Sequence, residues 1–282
     1  MMVDFWIILS GALVAVCCSL LGCYLILRKM AMVSDAISHS ILPGIVFAFL
    51  LTGTRDTFTM LVGASALGLF TTFLIEFFHQ KIKLQTDASI GVTFTSLFAL
   101  GIIYIAAYAG QIDLDQDCVL YGEIAYVPID VWLLGNNINL GPRVIWIMGA
   151  VLMLILFFII FSYKELKITT FDPAFAAACG INVTLWHYLL MGAVSLTTVA
   201  AFEAVGAILV VGFLIVPPAT AYLLTQNLKK MLFLSSIIGI LTAITGYYLA
   251  VWLDGSIAGA IATVSGVFFL LVFIYSKKVI SL

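Results

Sequence analysis

Charged side chains are scarce in this sequence: 9% of its 282 residues are Asp, Glu, Lys or Arg, against roughly 25% in an ordinary soluble domain. With 64% of residues hydrophobic, too little polar side chain remains to clothe a water-soluble globule. The chain therefore reads as a polytopic membrane protein, and no nucleic-acid partner is expected. The five cysteines make no disulfide framework: Cys17, Cys18 and Cys23 share one apolar run, Cys118 and Cys179 stand alone, and all five read as packing residues. No Gly-Lys dipeptide occurs, so a phosphate-binding G-x-x-x-x-G-K-[ST] loop is impossible, and H-E-x-x-H is absent as well. No basic segment precedes the first apolar run and no small-residue cleavage site follows it, so residues 5–27 read as a retained span.

A helix needs about 20 apolar residues to cross the hydrocarbon core. Candidate runs lie near 5–27, 36–53, 58–79, 88–109, 143–163, 184–202, 205–226, 231–252 and 256–276. The expected fold is all-α: one transmembrane domain over 1–282 with nine helices, or eight if 184–226 does not divide in two near Glu203. Threaded as nine, the connections that hold Arg28, Lys29, Lys81, Lys83, Lys164, Lys167, Lys229, Lys230, Lys277 and Lys278 alternate, and only Arg55 and Arg143 fall opposite. By the positive-inside rule the N-terminus is outside and the C-terminus cytoplasmic.

Three segments interrupt this pattern. The external stretch 113–130 carries Asp113, Asp115, Asp117, Glu123 and Asp130; a one-sign cluster attracts cations or a basic partner surface, though a merely solvated loop fits equally. It is not an EF-hand, because Cys118 stands where the calcium loop needs Gly. The cytoplasmic stretch 164–183 contains Phe171-Asp172-Pro173-Ala174-Phe175 and, further on, Gly180. Asp172 reads as an N-cap, Pro173 as the first helical residue and Gly180 as the C-terminal stop, which gives a short helix outside the bilayer. In the third, Pro217-Pro218 breaks the helical ladder inside an apolar run and predicts a bend, either lining a pathway or purely structural. Glu203 lines a path or marks an external turn. His187 reads as an interfacial residue and His79 as solvated. Gly255-x-x-x-Gly259 and Ala64-x-x-x-Gly68 are expected to allow close helix packing.

The chemistry concentrates at 31–44, where Asp35 and His39 stand four residues apart, on one face of a helix that Ser34 would cap. An Asp at a membrane helix centre costs about 2.5–3.5 kcal/mol on insertion scales, so such a residue faces protein, water or an ion. The pair could bind a metal, relay protons or form a structural hydrogen bond. As metal ligands, carboxylate plus imidazole without thiolate suits Mn, Fe or Zn. Two side chains leave such an ion undersupplied, and a two-fold second copy would double the set.

Ser34-Asp-Ala-Ile-Ser-His-Ser-Ile-Leu-Pro-Gly44, Gly206-x-Ile-Leu-Val-x-x-x-Leu-Ile-x-Pro-x-Ala-Thr-Ala221 and the Phe171-Asp-Pro to Gly180 helix together resemble the permease subunits of bacterial manganese, zinc and iron ABC importers. The likeness runs from about residue 10 to 275. It implies a type II importer-like permease, without ATPase motifs of its own, in the bacterial cytoplasmic membrane. It also implies a cytoplasmic ATP-binding subunit, an extracytoplasmic metal-binding protein and a second permease copy, identical or paralogous. By resemblance, Asp35 and His39 hold the transported ion, manganese first, with iron or zinc as alternatives and no permanently bound cofactor. The 172–180 helix couples to the ATPase, and Pro217-Pro218 serves gating. A proton-coupled secondary carrier is the rival from another class.

Overall fold

The computed structural model describes residues 2–52, 57–108, 124–134 and 138–280. Its helices are α1 (Met2–Leu27), α2 (Met32–Thr52), α3 (Thr57–Lys81), α4 (Thr86–Tyr108), α5 (Arg143–Phe161), α6 (Tyr163–Phe171), α7 (Pro173–Ala178), α8 (Val183–Val205), α9 (Ala207–Leu224), α10 (Leu228–Leu253) and α11 (Ile257–Ile280). All but α6 and α7 are long and apolar enough to cross a membrane, nine among the described residues. The eight-span alternative fails at Gly206, whose φ of 77° ends α8 and lets α9 begin at the next residue. A side chain there would be strained.

The core is wrapped around α1, which packs against α5, α8, α9 and α10. Its Cys17, Cys18, Leu21, Cys23, Tyr24 and Leu25 are fully buried, so three of the cysteines do serve packing, while Cys179 is exposed and Cys118 lies outside the described residues. Two of the polar groups at this core find partners in it: the Ser19 hydroxyl donates to the Val16 carbonyl at 3.3 Å, and Tyr247 on α10 donates to the Asp4 carboxylate at 2.6 Å. Helices α2, α3 and α4 form a second group that leans on α8.

Small residues set the helix spacing, at positions other than those singled out by the Gly255 and Gly259 pattern. A Cβ on Gly255 would meet nothing within 4 Å, and one on Gly259 only its own neighbour Ser256. The close crossings are α2 on α3, where a Cβ on Gly44 would stand 2.8 Å from Ala64 Cα, and α10 on α11, where one on Gly246 would stand 2.5 Å from Ile261 Cα. Gly68 also packs tightly, against Ser195 on α8.

The long connection before α5 holds a short 3₁₀ turn at Ile124–Tyr126 and an antiparallel pair, β1 (Val131–Leu134) with β2 (Ile138–Pro142). A helical reading could not foresee this hairpin, which pairs backbone groups over a stretch too short to span. Asp113, Asp115, Asp117 and Glu123 lie outside the described residues. Asp130 is exposed, and its carbonyl accepts from the Arg143 amide at 3.0 Å, joining the hairpin to α5.

Candidate functional site

Helix α2 starts at Met32, three residues earlier than a Ser34 cap would require, and Ser34 instead donates to the Ala31 carbonyl at 2.6 Å. Ser38 donates to Ser34 O at 3.0 Å and Ser40 to Ala36 O at 2.7 Å. Each hydroxyl is thus satisfied by its own helix, the arrangement an apolar surrounding demands. These three serines are buried, whereas the side chains of Asp35 and His39 are each 33% exposed. The chain covers the serine face and leaves the ionisable face partly open.

His39 Nε2 stands 3.6 Å from Asp35 Oδ1, longer than a good hydrogen bond. Two ligands about 2.1 Å from one ion sit roughly 3.0–3.4 Å apart, so a small side-chain rotation would bring this pair to that spacing. The imidazole is held from α4: Phe94 stacks on it at 5.5 Å between ring centroids and 29°, and Phe98 meets it edge-on at 6.0 Å. One turn on, Pro43 is buried inside α2 and removes the amide that would have bonded the His39 carbonyl. Gly101 on α4 receives that proline, since a Cβ there would stand 2.9 Å from Pro43 Cδ. Among the described residues no group of three or more His, Cys, Asp or Glu is placed to hold a metal.

The segment between α5 and α8 is more helical than the sequence indicated, with α6 occupying Tyr163–Phe171. Its second half follows expectation. The Asp172 carboxylate accepts from the Phe175 amide at 2.9 Å, Pro173 opens α7, and Gly180 takes a φ of 80° beyond its end. Phe171 and Phe175 are both 56% exposed.

Pro217 and Pro218 do not interrupt α9, which is continuous through them, and both are buried. The break in this region belongs to Gly206. Pro218 still leaves the Leu214 carbonyl without its helical partner, and Gly22 of α1 fills the gap, pressed against that carbonyl with Pro218 beside it. Glu203 lies in the last turn of α8.

The sequence reading missed a polar cluster at the same end of the bundle as α7. His187 has partners that its own stretch of sequence does not show: its Nε2 lies 3.3 Å from Glu76 Oε2 on α3, and its Nδ1 lies 3.4 Å from Arg28 Nη1. Arg28 further donates from Nε to Thr170 Oγ1 and from Nη2 to Thr169 Oγ1, both at 3.1 Å. Burial pulls the Arg28 pKa down, although a guanidinium remains charged. A Glu inside an apolar run was the available signal, with a His on another run to pair it. His79 is exposed, as expected, and its Nδ1 lies 2.9 Å from the Leu84 carbonyl in the α3–α4 turn.

The sequence matches the ABC 3 transport family over residues 2–276. The chain belongs to that family. It is 51% identical over 274 residues to the manganese transport system membrane protein MntD of Bacillus subtilis, covering 97% of this chain and 92% of that one. It is 43% identical over 277 residues to the zinc transport system membrane protein TroD of Treponema pallidum, covering 96% and 74%. Among solved structures, PsaBC from Streptococcus pneumoniae in complex with Fab superposes with a TM-score of 0.78 at 33% identity, over 95% of this chain and 90% of that one. This ABC 3 transport protein is accordingly a multi-pass membrane permease of the metal ABC transporter type, as its residue pattern indicated.

Proposed function

We propose that this chain imports manganese, with iron and zinc as ions of related chemistry, and that Asp35 and His39 hold the ion in transit. The observation that carries this reading is the pair itself: a carboxylate and an imidazole 3.6 Å apart on a membrane helix, a third exposed. The relative at 51% identity is named for manganese transport. Oxygen and nitrogen donors without thiolate favour Mn, Fe or Zn over Cu(I). A second permease copy facing the first across a two-fold axis supplies two carboxylates and two imidazoles around one ion.

In this reading a separate cytoplasmic ATP-binding subunit supplies the energy and docks on α7. An extracytoplasmic metal-binding protein delivers the ion, and the acids at Asp113, Asp115, Asp117 and Glu123 draw it inward. The assembly lies in the bacterial cytoplasmic membrane with the N-terminus outside and the C-terminus in the cytoplasm. Glu203, Pro217 and Pro218 border the path whose opening alternates. The permease itself carries no ATPase motif and performs no chemistry on the ion.

The test is uptake of Mn, Fe(II) and Zn, each in turn, into vesicles holding the full transporter, with and without ATP inside the compartment that the ATP-binding subunit faces. ATP-dependent uptake with manganese preferred is expected. Uptake driven by a proton gradient without ATP would establish a secondary carrier instead. For the docking helix, Phe175→Ala is expected to lower retention of the ATP-binding subunit on co-purification by about tenfold, as loss of an aromatic anchor does. Wild-type retention by that variant would move the docking site elsewhere.

A further inference from the structure

Arg28 follows the last residue of α1 and opens the short turn into α2, six residues before Ser34 and seven before Asp35. That turn is stiff. The Arg28 amide bonds Tyr24 O at 3.0 Å, Lys29 takes a left-handed φ of 58° with its amide on Ile26 O, and the Met30 amide bonds Leu25 O at 2.9 Å. The Val33 amide bonds back to Met30 O at 3.1 Å, so the turn is continuous with the first turn of α2.

The side chain of Arg28 joins this turn to two other elements at once. Thr169 and Thr170, which accept two of its donors, lie at the end of α6 immediately before Phe171 and the Asp172 cap of α7. The third contact is His187 on α8. A guanidinium has donors only, so His187 Nδ1 accepts, and in the neutral ring the proton then sits on Nε2, which lies 3.3 Å from Glu76 Oε2. That tautomer leaves Nε2 without a lone pair for a cation, which argues against reading His187 and Glu76 as a second metal site. Glu76 lies on α3 two turns, about 12 Å, beyond Gly68, whose Cβ position is 3.2 Å from Ile37 Cγ2 on α2. The cluster therefore lies between the Asp35–His39 level and the α7 end. A cavity of about 360 Å³ runs along it, lined by Arg28, Glu76, Thr169, Thr170, Thr184 and His187 among others.

We propose that Arg28 is a positioning residue that clasps the α6–α7 segment to the metal-holding helix, with His187 and Glu76 fixing its inner end, so that displacement of α7 reaches Asp35 through it. The inference rests on the reading of α7 as the ATPase seat and of Asp35 and His39 as ion ligands. Three contacts from one planar fork are what arginine offers, and a lysine ammonium cannot span them. Spatial continuity alone does not demonstrate coupling, so the test has to measure coupling itself.

Manganese uptake and ATP hydrolysis are measured in the same vesicles holding the full transporter, for wild type, Arg28→Lys and Thr170→Val. Arg28→Lys keeps the charge and loses the fork; Thr170→Val keeps the shape and loses one acceptor. Metal moved per ATP hydrolysed is expected to fall about fivefold or more in Arg28→Lys, within the range of ordinary coupling energies, and by a smaller factor in Thr170→Val, with hydrolysis within about twofold of wild type. A merely structural role lowers uptake and hydrolysis together by loss of assembled complex, and that proportional loss overturns the proposal. So does a wild-type ratio in both variants. If Arg28→Lys does not assemble, the ratio in Thr170→Val decides. Asp35→Asn in parallel separates the two levels: normal uptake there sinks the underlying ion-site reading, whatever Arg28 does.

Discussion

Manganese uptake is expected to fall by at least about a hundredfold in vesicles carrying Asp35→Asn, with the complex still assembled. The substitution changes charge and hardly changes shape, and the side chain is a third exposed, so the helix has no packing reason to move. On the proposed reading it removes an anionic oxygen ligand from each of two copies. A loss of only about 1.4 kcal/mol per copy is tenfold each and a hundredfold together. His39→Gln is the matching variant for the nitrogen, expected to have a comparable effect; it fills more of the space between Phe94 and Phe98 than alanine would. Direct binding of manganese by the detergent-solubilised complex should weaken in parallel, separating loss of the site from loss of turnover. Wild-type uptake and binding in both variants would assign Asp35 and His39 to packing and remove the centre of the functional reading.

The part of this protein that was readable from sequence is the part governed by local rules. Span lengths follow from hydrophobic run length, and α7 follows from Asp172, Pro173 and Gly180 at cap and stop positions. Asp35 and His39 stand out because ionisable side chains are rare inside an apolar run. What could not be read depends on contacts between distant segments. The partners of His187 are of this kind: α3 brings Glu76 to 3.3 Å and the α1–α2 turn brings Arg28 to 3.4 Å. The proline pair predicts a lost ladder bond, which is correct for Leu214, but a neighbouring glycine closes the gap and the helix stays continuous. Among the described residues of this chain no other helix approaches Gly255 or Gly259: a small-residue pattern marks a surface that can be approached closely without saying that anything approaches it.

Gly22→Ala is expected to be among the most destabilising single-methyl changes in the chain. Each of the α1–α9 partners has given up something at this crossing. Pro218 has no amide, so the Leu214 carbonyl lacks its helical hydrogen bond. Gly22 has no side chain, so the α-hydrogen that a methyl would replace points at that carbonyl as a weak C–H donor. An added Cβ would collide with the Leu214 oxygen and stand 2.8 Å from Pro218 Cγ and 2.9 Å from the Leu214 carbonyl carbon. Two of those atoms are backbone, so no rotamer relieves the clash and α1 must separate from α9, which carries other buried residues with it. Overpacking costs about 1–3 kcal/mol where side chains can adjust, and here the cost lies at or beyond the upper end. Gly266→Ala on α11 is the control, because its Cβ meets nothing within 4 Å and alanine favours helix by about 1 kcal/mol over glycine. The measurement is the thermal midpoint of the detergent-solubilised protein, followed by loss of the monodisperse peak. A clear drop for Gly22→Ala beside an unchanged or raised midpoint for Gly266→Ala is expected. Equal midpoints would mean that α1 and α9 can slide apart at little cost, and that the carbonyl freed by Pro218 is satisfied without Gly22.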